Sequence, residues 1–281
     1  MSTTIGITFL YRRPRDSKLL NGLINQIRQF RSKMNVILVS ADETSERIAK
    51  DLLANSVDFL IRKSFPLGRQ RKVAVESCKT DLITFFDHDM TFSKDYFEKV
   101  LPLFRAPEVA AVGVRKTPLN QCRWSKLEWI VNEHYSIKTG FFGCGGTTYR
   151  VSAVRDAGDF DENLGAGEDS DLQRRLHEKR YKSIYLTDVV VGHYYIDSWK
   201  EFLYKQFQGG KRSSKVRNKY RDFLRALFSP IRGLQLAIRY SEGSLIPYYI
   251  LRTYLTFLGS LTGGRRRSQN RPSPSKYEQS S

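Results

Sequence analysis

Cysteine is scarce: the 281 residues hold three, Cys78, Cys122 and Cys144. Odd in number and widely spaced, they exclude a disulfide framework and a cysteine-rich zinc site, and they fit a reducing compartment. Long apolar runs are missing too. None reaches the roughly 18 uninterrupted residues that a spanning helix needs. The nearest, Leu245 to Leu261, carries Pro247 and Arg252 and reads as interfacial or buried. The opening MSTTIGITFLYRRPRD reads against a signal peptide, which puts its charge before a longer apolar segment. Neither GxGxxG nor GxxxxGKS/T occurs, so nothing supports a dinucleotide fingerprint or a P-loop.

Acidic residues are in short supply. Lys and Arg total 47 against 29 Asp and Glu, a formal net charge of +18. A charge of that size implies an anionic partner: nucleic acid, a phospholipid surface or a phosphorylated substrate. The excess is concentrated. From Lys200 onward 17 Lys/Arg face 4 Asp/Glu, so that stretch holds +13 and the rest of the chain only +5. There the cations alternate with apolar and aromatic residues such as Phe207, Phe223, Tyr248 and Tyr254. That mixture suggests basic amphipathic helices on an anionic membrane surface, against the plainer alternatives of a solvated helix pair or a nucleic-acid patch. Residues 263–281 are rich in Gly, Ser, Pro and charge and read as a disordered tail.

With 40% apolar residues, most of the chain should fold. Short β-branched runs predict strands at Ile5–Tyr11, Asn35–Val39, Val57–Ile61, Leu82–Phe86 and Ala110–Val114. Between them, helical spacing appears at Ser17–Phe30, Thr44–Leu53 and Arg69–Cys78, with another helix capped by Ser93 and running to Leu103. Such alternation predicts an α/β fold, a parallel sheet covered by helices, with ligands at the carboxyl ends of the strands.

Two constellations carry chemistry. The apolar run LITFF leads straight into Asp87-His88-Asp89. A buried strand ending there sets two carboxylates at the ligand edge, as hard oxygen donors for Mg²⁺ or Mn²⁺; the plainer reading is a polar turn. The second is GCGGTTYRVSAVRDAGDFDENLGAGEDSDLQRRL. Gly145 and Gly146 permit close backbone approach to a ligand. Asp161, Glu162, Glu168, Asp169 and Asp171 crowd together in sequence, and like charges raise one another's pKa. A carboxylate so tuned can serve as a general base; equally, acids at a helix start satisfy its free N–H groups. The strand KSIYLTDVVVGH then ends at His193, a candidate third ligand beside Asp87 and Asp89.

Together these segments resemble the family 2 glycosyltransferases of the GT-A fold. The resemblance covers about residues 3 to 210. It rests on the first strand running into Tyr11-Arg12-Arg13, on Gly68-Arg69-Gln70-Arg71-Lys72, on TDLITFFDHD, and on the Gly-Gly, Gly-x-Phe-Asp-Glu and Gly-Glu-Asp-x-Asp-Leu order ending at His193. It implies a Rossmann-like, mostly parallel sheet flanked by helices, with a catalytic domain over 1–210, a basic, aromatic-rich helical region over 211–262 that associates with membrane, and the tail beyond. It also implies inverting transfer of a sugar from a UDP- or GDP-sugar to a hydroxyl acceptor, a glycan or lipid-linked glycan. Asp87, Asp89 and His193 would then hold Mn²⁺ or Mg²⁺, Asp169 would be the base, and Glu168 would help bind the acceptor. Tyr11, Asp42, Arg71, Gly145 and Gly146 would line the nucleotide site. The expected place is peripheral, on the cytoplasmic face of the cell membrane, with no nucleic-acid partner. Two departures stand out: the first strand ends Phe9-Leu10-Tyr11-Arg12 rather than Pro-Thr-Tyr-Asn, and the second ends Ser40-Ala41-Asp42 rather than Asp-Asp, leaving Asp42 as a substitute contact to the base. A nucleotidyltransferase on a related sheet would want a glycine-rich loop after the first strand, where Arg12, Arg13, Pro14 and Arg15 stand. A non-enzymatic nucleic-acid binder would account for the charge but not for the acidic GEDSD loop.

Overall fold

The computed structural model describes residues 3–29, 35–53, 59–214 and 218–263. The expected tail beyond Gly263 lies outside the described residues. Strands are β1 (Thr3–Phe9), β2 (Asn35–Ser40), β3 (Phe59–Lys63), β4 (Leu82–Asp87), β5 (Met90–Phe92), β6 (Val109–Pro118), β7 (Thr147–Arg150) and β8 (Lys182–His193). Helices are α1 (Pro14–Gln29), α2 (Glu43–Leu52), α3 (Leu67–Ser77), α4 (Tyr96–Val100), α5 (Arg123–Thr139), α6 (Val151–Asp156), α7 (Glu168–Glu178), α8 (Trp199–Ser213), α9 (Lys219–Leu227), α10 (Ser229–Tyr240) and α11 (Leu245–Thr262). The strands form one sheet in the order β3-β2-β1-β4-β7-β6-β8-β5. Pairs β1/β2, β2/β3, β1/β4 and β6/β8 are parallel. Strand β7 runs antiparallel to both β4 and β6, so β6 and β8 point the same way as β1 and β4. The expected α/β sheet is therefore present, and the ends of β1, β2, β4, β6 and β8 share one edge with the start of β7.

Local chemistry accounts for the elements. Every residue of β1 is buried, as a strand covered on both faces requires. In β4, Phe86 faces a core built with α1, α2 and α4, while Phe85 faces a second core built with α3, α6 and α7. The alternation of side chains along a strand makes that split. Pro14 opens α1, where a missing N–H costs nothing, and Asp16 accepts from the N–H groups of Arg12 and Arg13 at 2.8 and 2.9 Å. The helix expected from Ser93 starts later, at Tyr96: Ser93 accepts the Tyr96 N–H through its backbone carbonyl at 3.1 Å, and Lys94 and Asp95 form a turn between them.

A third core joins α5 to the C-terminal helices, through Leu127, Ile130, Phe202, Leu236 and Leu245. There α8 and α11 cross at two glycines. A Cβ on Gly210 would sit 2.1 Å from the Thr256 carbonyl oxygen, and one on Gly259 would sit 2.1 Å from that of Phe207. The helical extension is thus packed onto the sheet domain through α5. None of the helices among the described residues is long and apolar enough to cross a membrane.

Candidate active site

The shared sheet edge gathers most of the residues singled out from sequence. Asp87 ends β4 and Asp89 follows two residues later, before β5 pairs antiparallel with β8 so that Met90 faces His193. This hairpin-like return brings Asp87, Asp89 and His193 together, with one ligand atom of each within 4.8 Å of the others. His88 points elsewhere: its ring packs edge-on against Phe9, centroids 5.2 Å apart. Asp89 Oδ1 lies 3.5 Å from His193 Nε2. Both Asp89 Oδ1 and His193 Nδ1 are buried without a hydrogen-bond partner, a costly state for polar atoms. Two carboxylates and an imidazole with such free atoms fit a divalent cation such as Mn²⁺ or Mg²⁺.

Asp87 is anchored from behind. Its Oδ1 accepts from Thr8 Oγ1 at 2.7 Å and from Arg71 Nη2 at 2.5 Å. Arg71 is fully buried, on the first turns of α3, with its guanidinium 4.8 Å over the Phe85 ring. Although burial works against its charge, Arg71 with His193 and Thr8 holds the Asp87 carboxyl well below the ordinary range. Helix α3 is itself held by Gly68, whose N–H donates to the Leu164 carbonyl at 2.8 Å; a Cβ there would lie 2.1 Å from the Asp161 carbonyl oxygen. The Gly-Arg-Gln-Arg and Phe-Asp-Glu segments are thus two halves of one contact. Gly145 keeps Asp87 accessible, since a Cβ there would sit 2.5 Å from Asp87 Oδ2. Gly146 has φ +71°, a conformation glycine adopts without strain, and its N–H donates to the Phe85 carbonyl at 2.7 Å.

The acid cluster resolves differently from its appearance in sequence. Asp171 pairs with Arg174 and Arg175 at 2.9 and 3.0 Å, Glu162 pairs with Lys72 at 3.3 Å, and Asp161 accepts from the Asn163 N–H in a turn. Only Glu168 and Asp169, in the first turn of α7, face the metal-ligand group. Burial, and then the Asp169 charge, push the Glu168 carboxyl up to about 8, against the pull of Arg71. The raised acid in this pair of neighbours is Glu168. Asp169 stays partly exposed and lines a cavity of about 1300 Å³ together with His193, Lys116 and Tyr195.

Tyr11 and Asp42 lie further along the edge. The Tyr11 N–H donates to Ser45 Oγ at 2.9 Å, and Asp42 Oδ1 caps α2 by accepting the Ser45 N–H at 2.8 Å. Asp42 also borders a separate hollow of about 730 Å³ with Arg69 and Phe65, the latter 62% exposed. The structure thus ties Asp42 to a capping role at the rim of this hollow.

Lys116 is the residue that sequence reasoning passed over. It lies near the end of β6 with its Nζ 3.4 Å from the Gly143 carbonyl. Burial lowers its pKa while the charges of Asp87 and Asp169 oppose that shift. A Cβ on Gly143 would lie 2.9 Å from Lys116 Nζ and 3.4 Å from Asp169 Oδ2, so both side chains crowd the same glycine. The signal was available: Lys116 follows the apolar run Val109–Val114 much as Asp87 follows LITFF.

Residues 7–155, more than half of the chain, match glycosyl transferase family 2. The chain belongs to this family. The family 2 domain also has named relatives. The pre-mycofactocin glycosyltransferase of Mycobacterium tuberculosis is 30% identical over 155 residues, 50% of this chain and 33% of that protein; the chain thus spans about a third of that relative's length. The O-antigen chain rhamnosyltransferase RfbN of Salmonella typhimurium is 24% identical over 259 residues, 85% of this chain and 82% of that protein. Among solved structures, the mannosyltransferase PcManGT from Pyrobaculum calidifontis, in complex with GDP-Man and Mn²⁺, aligns with a TM-score of 0.60 at 13% identity, covering 89% of this chain and 73% of that one. TarS 1-349 of S. aureus, in complex with UDP-GlcNAc, aligns at 0.52 and 14%, covering 93% and 91%. These likenesses establish the GT-A fold of the family 2 domain.

Proposed function

We propose that this family 2 glycosyltransferase moves a sugar, with inversion, from a nucleotide sugar to the hydroxyl of a glycan acceptor, and that its site uses Mn²⁺ or Mg²⁺. The observation that carries the reading is the convergence of Asp87, Asp89 and His193 on the same sheet edge as Asp169. Bound by those three side chains, the cation would offset the charge that grows on the departing nucleoside diphosphate. Arg71 keeps Asp87 ionised and in place. Asp169 takes the proton from the acceptor oxygen as that oxygen bonds to the anomeric carbon. The bond from that carbon to the diphosphate oxygen breaks on the opposite face, and its electron pair leaves with the nucleoside diphosphate. A single displacement with a single base gives inversion. Lys116, near Asp87 and Asp169, adds a fixed positive charge where negative charge develops. Glu168, protonated over much of the neutral range, donates a hydrogen bond to the acceptor sugar. Tyr11 and Asp42 face the base of a uridine or guanosine donor.

The reading includes a peripheral place on the cytoplasmic face of the cell membrane, where nucleotide sugars are available. The exposed apolar and cationic side chains of the C-terminal helices support it. The test is a thermal-shift titration with UDP-, GDP- and dTDP-sugars, with and without Mn²⁺. One donor should raise the melting temperature only with the metal, Asp89→Ala should abolish the shift, and Asp169→Asn should keep it while losing transfer. A shift that survives in Asp89→Ala removes the metal assignment, and no shift with any donor removes the donor assignment.

A further inference from the structure

The cavity that begins at Asp169 does not end at the sheet. It runs between α5 and the C-terminal helices, and its far wall is cationic. Arg232, Gln235 and Arg239 line it from α10, on one helix face and with the two arginines about 10 Å apart along the axis. Arg252 lines it from α11 and Lys138 from α5. The acids on its lining are Asp169, at the catalytic end, and Glu133 and Asp222. Glu133 is already engaged by Arg115 at 2.9 Å and by the Tyr185 hydroxyl at 2.6 Å, and Asp222 lies 3.6 Å from Arg225. Among the described residues no carboxylate pairs with Arg232, Arg239 or Lys138. Arg252 donates to Asn132 at 2.8 Å, but its Nη1 is buried without a partner. The charges crowd: besides burial, Arg239, Lys138 and Arg232 all depress the pKa of His134, which lies among them. Arg232, Arg239 and Lys138 are exposed, so solvent screens part of their repulsion, and a multivalent anion bound among them relieves the rest.

The mouth of the same cavity is apolar. Phe228 and Ile238 both line it, yet they are 53% and 72% exposed. They continue two exposed stripes at helical spacing: Tyr220, Phe223 and Leu227 on α9, and Ile231, Leu234 and Ile238 on α10. Arg232, Arg239 and Lys138 are exposed at the open side of the cavity beside these apolar side chains, and Arg252 is half-buried. Cations flanked by exposed apolar stripes match an amphiphile whose phosphate meets the arginines while its chain lies over the rim.

Resting on the glycosyltransferase reading, we infer that Arg232, Arg239, Arg252 and Lys138 form a subsite for the phosphate of a lipid-phosphate-linked acceptor, with the lipid leaving over Phe228 and Ile238 and the saccharide reaching Asp169. The acceptor's phosphate is bound here and takes no part in the bonds that change.

The full chain is titrated calorimetrically with farnesyl diphosphate below its micelle concentration and with inorganic pyrophosphate, in chelator so that no divalent ion holds either probe at the donor site. Farnesyl diphosphate should bind more tightly than pyrophosphate. The double variant Arg232→Gln/Arg239→Gln should weaken it about tenfold or more, since each charge-assisted bond is strong. Lys138→Gln, on a different helix, should weaken it as well. Lys211→Gln/Arg212→Gln, which removes exposed charge at the end of α8, should change little. Equal loss in that control, or no loss in the α10 double variant, overturns the subsite. Equal affinity for the two probes assigns it to a free anion and overturns the lipid. Donor binding with Mn²⁺ is measured in the same variants. If it is absent throughout while farnesyl diphosphate binds as stated, the donor reading fails and the subsite stands.

Discussion

Arg71 and Asp87 form an ion pair, Nη2 to Oδ1 at 2.5 Å, in which the guanidinium is buried and the carboxylate is part-exposed, and this pair supports the metal-ligand group from beneath. Removing one partner of a fully buried pair strands the other charge and costs about 3–5 kcal/mol; the Asp87 side chain, 30% exposed, keeps some solvation, which puts this pair at the low end. Arg71→Met should therefore lower stability by about 3 kcal/mol, read as a reduced urea midpoint with an unchanged slope. Arg71→Lys keeps the charge but not the planar fork, and it should recover part of the loss. Wild-type stability in Arg71→Met would mean that Asp87 is satisfied without it.

Glu168 gives the protein a pH dependence of a stated sign. Its folded pKa, about 8, lies above its ordinary 4.5. Between those values the folded state binds more proton than the unfolded state, so this group makes stability fall as pH rises through the window. Glu168→Gln removes the titration. Chemical denaturation at a series of pH values should show the variant losing less stability than wild type between pH 4.5 and about 8. Parallel curves would place Glu168 in the ordinary carboxylate range.

The same contrasts show what could be read from sequence and what could not. The Asp87-His88-Asp89 group was legible because an apolar run ending in acids fixes both depth and edge. Lys116 obeys the same rule and could have been read with it. Helix α5 was not anticipated. It is covered on two sides, by β6 and by the C-terminal helices, and it buries Glu128 and Glu133 beside Leu127 and Ile130, which blurs the single apolar stripe that marks a helix. The acid cluster misled for the opposite reason. Asp161, Glu162 and Asp171 are close in sequence, but local turns and neighbouring cations turn them away from Glu168 and Asp169. The cavity needed tertiary structure, since Lys138, Arg232 and Arg252 come from three separate helices.

Gly209 and Gly210 make a matched test of the α8–α11 crossing. A Cβ on Gly210 would strike the Thr256 backbone, whereas Gly209 has open space. Gly210→Ala should destabilise by about 1–3 kcal/mol, because backbone must move to admit it. Gly209→Ala should stabilise by roughly 0.5–1 kcal/mol through the better helix propensity of alanine. Melting temperatures of the two variants decide it: equal shifts would mean that the helices are not in contact there.

The exposed stripe on α10 bears on membrane attachment without touching the core. Leu234 and Ile238 are 50% and 72% exposed, so replacing them with glutamate leaves the packing of Leu236 and Ala237 intact and should leave the melting temperature nearly unchanged. On an anionic bilayer the same changes remove apolar insertion and add repulsion. Flotation with phosphatidylglycerol-containing vesicles should show Leu234→Glu/Ile238→Glu binding about tenfold or more weakly, since ~1.4 kcal/mol is one decade and burying one such side chain is worth at least that. Raised salt should weaken the wild type as well, because the cations beside the stripe act through a screened field. If the double variant floats like the wild type at every salt concentration, neither the stripe nor its charge faces the bilayer, and the attachment would have to come from elsewhere in the chain.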